Sequence, residues 1–258
     1  VTFYINNDDS EVADKMNSVT YDVAFLSSSQ FSSIENKKDL NSVAVQNVTY
    51  SFIFNQNDNN YRNKNMRLAF CRSCDTSSLF DSQSDISKAD GIVPPSCKIG
   101  GEDYRNGNAA ELLSYDETLA KKNFNDALLE LGSSSVETTI LCTEQYEPFV
   151  KQMVQKLQKT LGVKFVSTVK VVSESDLEAA VNDGNYSVAF YPFKAKSSFA
   201  GEIIEGFDKN NIFGYESDVL SQKIRNIKNN SGSLEGERSA VADAENYLVS
   251  EAVIMPVF

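Results

Sequence analysis

The sequence predicts an α/β fold in which a mixed sheet is flanked by helices. Three observations carry that expectation. Short apolar strands alternate with amphipathic helices along most of the chain, the pattern of layered α/β domains. Residues 21–26 and 186–191 are nearly continuous apolar runs, as strands covered on both faces must be. Two long helical stretches stop at a glycine, Gly132 and Gly162, where the chain can turn out of a helix at little cost.

Residues 1–5 alternate as a strand, and residues 6–10 are polar, with Asp9 or Ser10 placed to cap a helix. A short helix over 11–17 turns Val12, Ala13 and Met16 inward, and the apolar strand at 21–26 follows. Residues 49–54 read as a strand, 55–64 as a polar loop and 66–74 as a helix. The stretch 81–108 is long and polar, holds Pro94-Pro95 and Gly100-Gly101, and reads as loop. A helix entered at Tyr115-Asp116 runs through Ala120, Phe124, Ala127, Leu128 and Leu131, and residues 138–142 form a buried strand. The helix at 147–161 puts Phe149, Val150, Met153, Val154, Leu157 and Leu161 on one face.

The opening pattern then returns. Residues 166–172 alternate, 173–175 cap, 176–181 are helical, 182–185 turn, and 186–191 form the second apolar strand. The matched endings Tyr-Asp-Val-Ala-Phe (21–25) and Tyr-Ser-Val-Ala-Phe (186–190) mark two βαβ units doing the same job in two lobes. Residues 229–236, rich in Gly, Ser and Asn, read as a mobile loop, followed by a helix at 237–251 and a terminal strand at 252–258.

Composition narrows the chemistry. With 41% apolar and 23% charged residues in 258, the chain can bury a core. Its net charge of −12 repels phosphate backbones and anionic membrane surfaces, so nucleic acid is not an expected partner. Histidine is absent altogether, which removes the commonest general base and metal ligand. No catalytic residue, metal or cofactor is expected. No apolar run approaches the roughly 20 residues of a membrane span. Val1 opens inside a strand-like alternation with no initiating Met, which reads as a piece of something longer. Cys71 and Cys74 have the spacing of a redox or zinc pair, but only Cys97 and Cys142 remain to complete a site. Buried thiols or a structural disulfide are the preferred reading.

A resemblance enters with the order of these motifs. Thr49-Tyr50-Ser51-Phe52-Ile53-Phe54-Asn55 is similar to a strand ending in Asn; Met66-Arg67-Leu68-Ala69 with Asp75 is similar to the helix motif Val-Arg-x-Ala-(x)5-Asp. Gly91-Ile92-Val93-Pro94-Pro95 resembles a Gly-x-x-Pro turn, and Tyr115-Asp116 with Ala120-Lys121 and Leu128 to Gly132 resembles Tyr-Asp-x-x-x-Ala-Lys-x-Leu-Leu-x-x-Ala-Gly. Residues 251–258 resemble an ending in which an apolar strand carries a Pro and an aromatic. Together they resemble the family 5 solute-binding proteins, the oligopeptide, dipeptide and nickel receptors of ABC importers.

The resemblance implies a periplasmic-binding-protein-like type II lobe, with residues 1–48 a part of lobe I and residues 49–258 lobe II. It implies a binding protein and not an enzyme: capture of an oligopeptide-like or other small polar solute, ABC permease subunits as partners, and a place outside the cell membrane or in the periplasm, held there by a lipid anchor. The alternative use of the same fold is a ligand-sensing domain fused to a regulator. Ligand contacts fall on Tyr191, Phe193, Lys194 and Lys196. In the family an Asp in this segment receives a peptide's α-amino group, whereas Lys196 stands there now, so an anionic or neutral group is expected opposite it or Lys194; the other reading makes both lysines solvated surface residues of the loop. Arg67 is expected to order its helix and the neighbouring loop, and Glu174 and Asp176 to be helix amino-terminal charges. In the family's helix motif Cys74 points inward with Cys71 one turn earlier, and a bridge from one of them to Cys97 is expected.

Overall fold

A computed structural model describes residues 2, 9–26, 28–76 and 86–258. The chain divides into two compact units, residues 1–45 and residues 46–258. The first unit holds helices α1 (Asp9–Asn17) and α2 (Ser28–Ser32). Ala13 and Ile34 are buried, and Asn17 ties the turn after α2 by accepting the Glu35 N–H at 3.0 Å. The expected strand at 1–5, apart from residue 2, and residues 6–8 of the polar stretch before the helix lie outside the described residues. At 21–26 no strand forms among the described residues, and Val23 and Phe25 are 84% and 92% exposed. An apolar run becomes a strand only through a partner strand's hydrogen bonds, and among the described residues no strand pairs with residues 22–26.

The second unit is the α/β domain. Its elements are β1 (Val48–Phe54), α3 (Asn59–Arg62), α4 (Lys64–Ser73), β2 (Lys98–Ile99), β3 (Glu102–Asp103), α5 (Glu117–Leu131), β4 (Val136–Cys142), α6 (Glu147–Leu161) and β5 (Phe165–Val171). There follow α7 (Glu174–Asn182), β6 (Val188–Lys194), α8 (Ala200–Glu205), α9 (Asp218–Asn229), α10 (Leu234–Ser250) and β7 (Ile254–Pro256). Sequence explains most ends. Asp58, Asn63, Asp116, Ser173, Ser217 and Ser233 cap the helices that follow them through their side chains. Gly132 closes α5 at φ 63°, a conformation that disfavours any residue with a Cβ.

The main sheet runs β5-β4-β6-β1-β7. β4 is parallel to β5 and β6, while β1 is antiparallel to both β6 and β7. Alternation splits the core in two. Phe52, Phe54, Ile140, Val188 and Phe190 face α4, α5 and α6; Ile53, Leu141 and Ala189 face α7 to α10. This is the mixed sheet flanked by helices that the sequence predicts.

Three expectations change in detail. The 229–236 loop shrinks to a turn, because α9 runs to Asn229 and α10 begins at Leu234. The bridge to Cys97 does not form: all four cysteines are free and buried. Cys71 and Cys74 pack on one face of the sheet and Cys97 on the other, so the sheet lies between them. Burial also pushes the Cys71 thiol up to about 12 and Cys74 well above the ordinary range, the opposite of an activated dithiol.

Buried charge fixes the long connection before α5. Glu245 on α10 accepts the Ile92 and Val93 N–H groups, the Tyr104 hydroxyl and the Arg105 guanidinium. A Cβ at Gly91 would collide with both Arg105 and Glu245, which is the physical content of the glycine in the Gly-x-x-Pro turn. Arg67 likewise orders its surroundings, donating from its buried guanidinium to the carbonyls of Tyr61, Arg62, Glu251 and Ala252.

Candidate ligand-binding site

The sheet opens a cleft where β6 outruns β4. β4 pairs with β6 only at Ile140↔Val188 and Leu141↔Ala189, then leaves at Cys142. β6 continues to Lys194, paired on its other side with β1 through Val48↔Lys194. Residues 192–194 therefore keep one backbone edge unpaired among the described residues.

The register shows which groups lie on that edge. Tyr50 gives its N–H to the Phe258 carbonyl at 2.6 Å and takes the Val257 N–H on its own carbonyl at 2.9 Å, so both its groups point to the β7 side. Pro192 stands opposite Tyr50, and its backbone groups must point away from β1. Lys194, two residues on, presents its N–H and carbonyl in the same direction. A proline inside a strand is tolerated where its missing N–H faces an open edge, and Pro192 sits there.

Around this edge lies a cavity of about 690 Å³. Its floor is aromatic. Phe193 stacks on Phe207 at 5.7 Å, Phe207 on Phe213 at 4.7 Å, and Tyr191 meets Phe193 edge-on at 5.9 Å. Such pairs are worth about 0.5–1.5 kcal/mol each beyond their burial, so they make a stiff shelf. Tyr50 and Phe190 line the same space from the other face of the sheet, stacked at 5.6 Å. Burial raises the phenols of both Tyr50 and Tyr191 above the ordinary range; Glu174 adds to the first and Glu178 to the second. Both tyrosines are neutral hydrogen-bonding groups at physiological pH.

All four residues singled out in the sequence, Tyr191, Phe193, Lys194 and Lys196, line this one cavity. So do Glu174 and Glu178 from α7 and Glu202 from α8. Among the described residues neither lysine is in an ion pair. Glu202 is turned to its own loop, accepting the Ser197 N–H at 2.9 Å and the Ser197 hydroxyl at 2.6 Å, which fixes the turn just after Lys196.

The profile of the bacterial extracellular solute-binding proteins, family 5 (middle region), matches residues 1–214. The chain belongs to this family. Solved structures of solute-binding proteins share its fold. A peptide-binding protein of a peptide ABC transporter superposes with TM-score 0.67 at 21% identity, over 81% of this chain and 97% of that one. The substrate-binding domain of an oligopeptide ABC transporter from Bacillus anthracis gives 0.76 at 17% identity, over 95% of this chain and 50% of that one. OppA of Listeria monocytogenes bound to peptide gives 0.73 at 21% identity, over 98% and 50%. The chain thus spans about half the length of the Bacillus and Listeria proteins. At these identities the likeness speaks for the fold, that of a periplasmic-binding-protein-like type II lobe. No curated protein sequence matches the chain.

Sequence reasoning missed the far wall of the cavity. Ile203, Phe207, Asn210, Ile212 and Phe213 line it and come from α8 and the loop after it. Asn211 builds that loop, donating to the Phe207, Asp208 and Tyr215 carbonyls and accepting from the Phe213 and Tyr215 N–H groups. The available signal was Asn210-Asn211 with Gly214 three residues later, a turn cluster flanked by Phe207 and Phe213.

Proposed function

We propose that the chain is the substrate-binding component of an ABC importer, and that residues 46–258 supply one wall of a cleft that takes an oligopeptide-like or other small polar solute. The unpaired edge of β6 carries this reading. An extended residue lying opposite Phe193 can give its N–H to the Pro192 carbonyl and receive the Lys194 N–H on its own carbonyl, as in strand addition. Such bonds are blind to side chains. Selection then falls to the aromatic shelf, which can desolvate one apolar group, and to Lys194 and Lys196. Lys196 repels an ammonium in a partly desolvated cleft, so the ligand presents an anionic or neutral group there.

The peptide contents of the neighbours support the class of ligand: the Listeria protein holds a peptide, and the Haemophilus influenzae OppA is complexed with RPPGFSPFR. The same reading gives the protein permease subunits as partners and a place outside the cell membrane, tethered by a lipid. No described helix is long and apolar enough to cross a membrane. The test is calorimetric titration of the full chain with a pool of short peptides. Phe193→Ala should weaken capture about tenfold, the order of one aromatic contact and its buried area. Affinity for free-amino peptides that is untouched by Phe193→Ala and survives Lys196→Ala unchanged would place the ligand elsewhere.

A further inference from the structure

The cleft is electrically divided, and this bears on the direction in which a ligand lies. On one wall stand Glu174 and Glu178, a turn apart on α7. α7 follows β5, whose last pair with β4, Cys142↔Val171, lies one residue beyond the last β4–β6 pair, Leu141↔Ala189, so the start of α7 stands at the inner end of the open edge. The upward effect of Glu174 on the Tyr50 phenol and of Glu178 on the Tyr191 phenol agrees with that place. Neither is in an ion pair among the described residues. At the outer end stand Lys194 and Lys196, in no ion pair among the described residues. Strand rise separates Tyr191 from Lys194 by about 10 Å, with Lys196 farther out. The third carboxylate in the cavity, Glu202, is held by Ser197.

Hydrogen bonding along the edge does not set a direction. The Pro192 carbonyl and the Lys194 N–H can be met by a chain running either way. Charge breaks the tie. A chain antiparallel to β6 puts its ammonium against two lysines and its carboxylate against two glutamates, two repulsions at once. The parallel chain has neither. Resting on the peptide-like reading above, we infer that the ligand is a zwitterionic chain of roughly three or four residues lying parallel to β6, its amino end at Glu174 and Glu178 and its carboxylate at Lys194 and Lys196. Glu174 and Glu178 then decide which ligands bind, and are more than helix-terminal charges.

The test uses the full chain and a pool of Ala-Xaa-Ala and Ala-Xaa-Ala-Ala peptides in free, N-acetylated and C-amidated forms. Each cap should weaken binding about tenfold or more. In double-mutant cycles, Lys196→Ala should abolish the penalty for amidation and leave that for acetylation. Glu174→Gln with Glu178→Gln should do the reverse. All these side chains are exposed, so the variants fold. If Lys196→Ala couples to acetylation instead, or if neither cap matters, the direction is wrong while the peptide-like reading stands. If no form of the pool binds wild type or variants, that reading falls and this inference with it.

Discussion

Residues 21–25 and 186–190 carry the same pattern, Tyr-x-Val-Ala-Phe, with opposite outcomes. In the second, Val188, Ala189 and Phe190 are buried between β1 and β4, each paired on the β1 side. In the first, Val23 and Phe25 stand exposed and no described residue pairs with them. Composition is shared, so composition cannot be the cause. A strand is made by the edge it meets: β6 has β1 along its whole length, and β1 in turn has β7. What an apolar run contributes is the ability to be covered on both faces once pairing has placed it.

The sharpest way to break the comparison is to delete the last residue of each motif. Phe190 sits among Tyr50, Phe52, Tyr146, Phe149 and Phe258. Phe190→Ala should cost about 3–5 kcal/mol in urea unfolding of the second unit. Phe25→Ala should change stability by no more than about 0.5 kcal/mol. Equal losses would mean that the 21–25 run is packed as well as its counterpart.

Backbone pairing can be probed one residue earlier. Ala189 stands opposite Ile53, three residues from Pro192 and on the other lateral side of the strand, so its N–H points to β1. Ala189→Pro should therefore cost about 1–3 kcal/mol for the orphaned Ile53 carbonyl alone, before any steric clash. Ala24→Pro should cost little. Pro192→Ala should cost little too, since it adds an N–H on the open edge and breaks nothing. Amide exchange of the two units read separately would show it. A large loss from Ala24→Pro would reveal a ladder at 21–26.

This contrast also explains what could be read from sequence. Helix ends were legible because their causes are local: Asp116, Ser173 and Gly132 act on backbone within four residues. The sheet order and the lone antiparallel β1 were not, because pairing partners are chosen across the whole chain. The cleft divides the same way. Tyr191, Phe193, Lys194 and Lys196 fall within one short segment that a motif can mark. Phe207 and Phe213 join them only because Asn211 folds a loop beneath the sheet. Glu174 was legible as a helix-terminal charge, but its place in the cleft depends on β6 outrunning β4.

The first residue of the motif gives the smallest effect, and its sign is informative. Tyr186 is buried, and its hydroxyl has no hydrogen-bond partner among the described residues. A desolvated, unpaired hydroxyl costs about 1–3 kcal/mol relative to water, whereas the ring contributes by its contacts. Tyr186→Phe keeps the ring and removes the cost, so it should raise stability by up to about 1 kcal/mol at neutral pH. The pH dependence follows from the same burial, which raises the Tyr186 phenol above the ordinary tyrosine range, with Tyr191 adding to it. A group whose folded pKa is raised holds its proton longer in the native state. The unfolded chain then loses the proton first, so stability is intact below about pH 10 and falls as pH rises beyond it. Tyr186→Phe should flatten that alkaline fall, measured by urea midpoints between pH 8 and 11. A variant less stable than wild type at neutral pH would mean that the hydroxyl is paired after all.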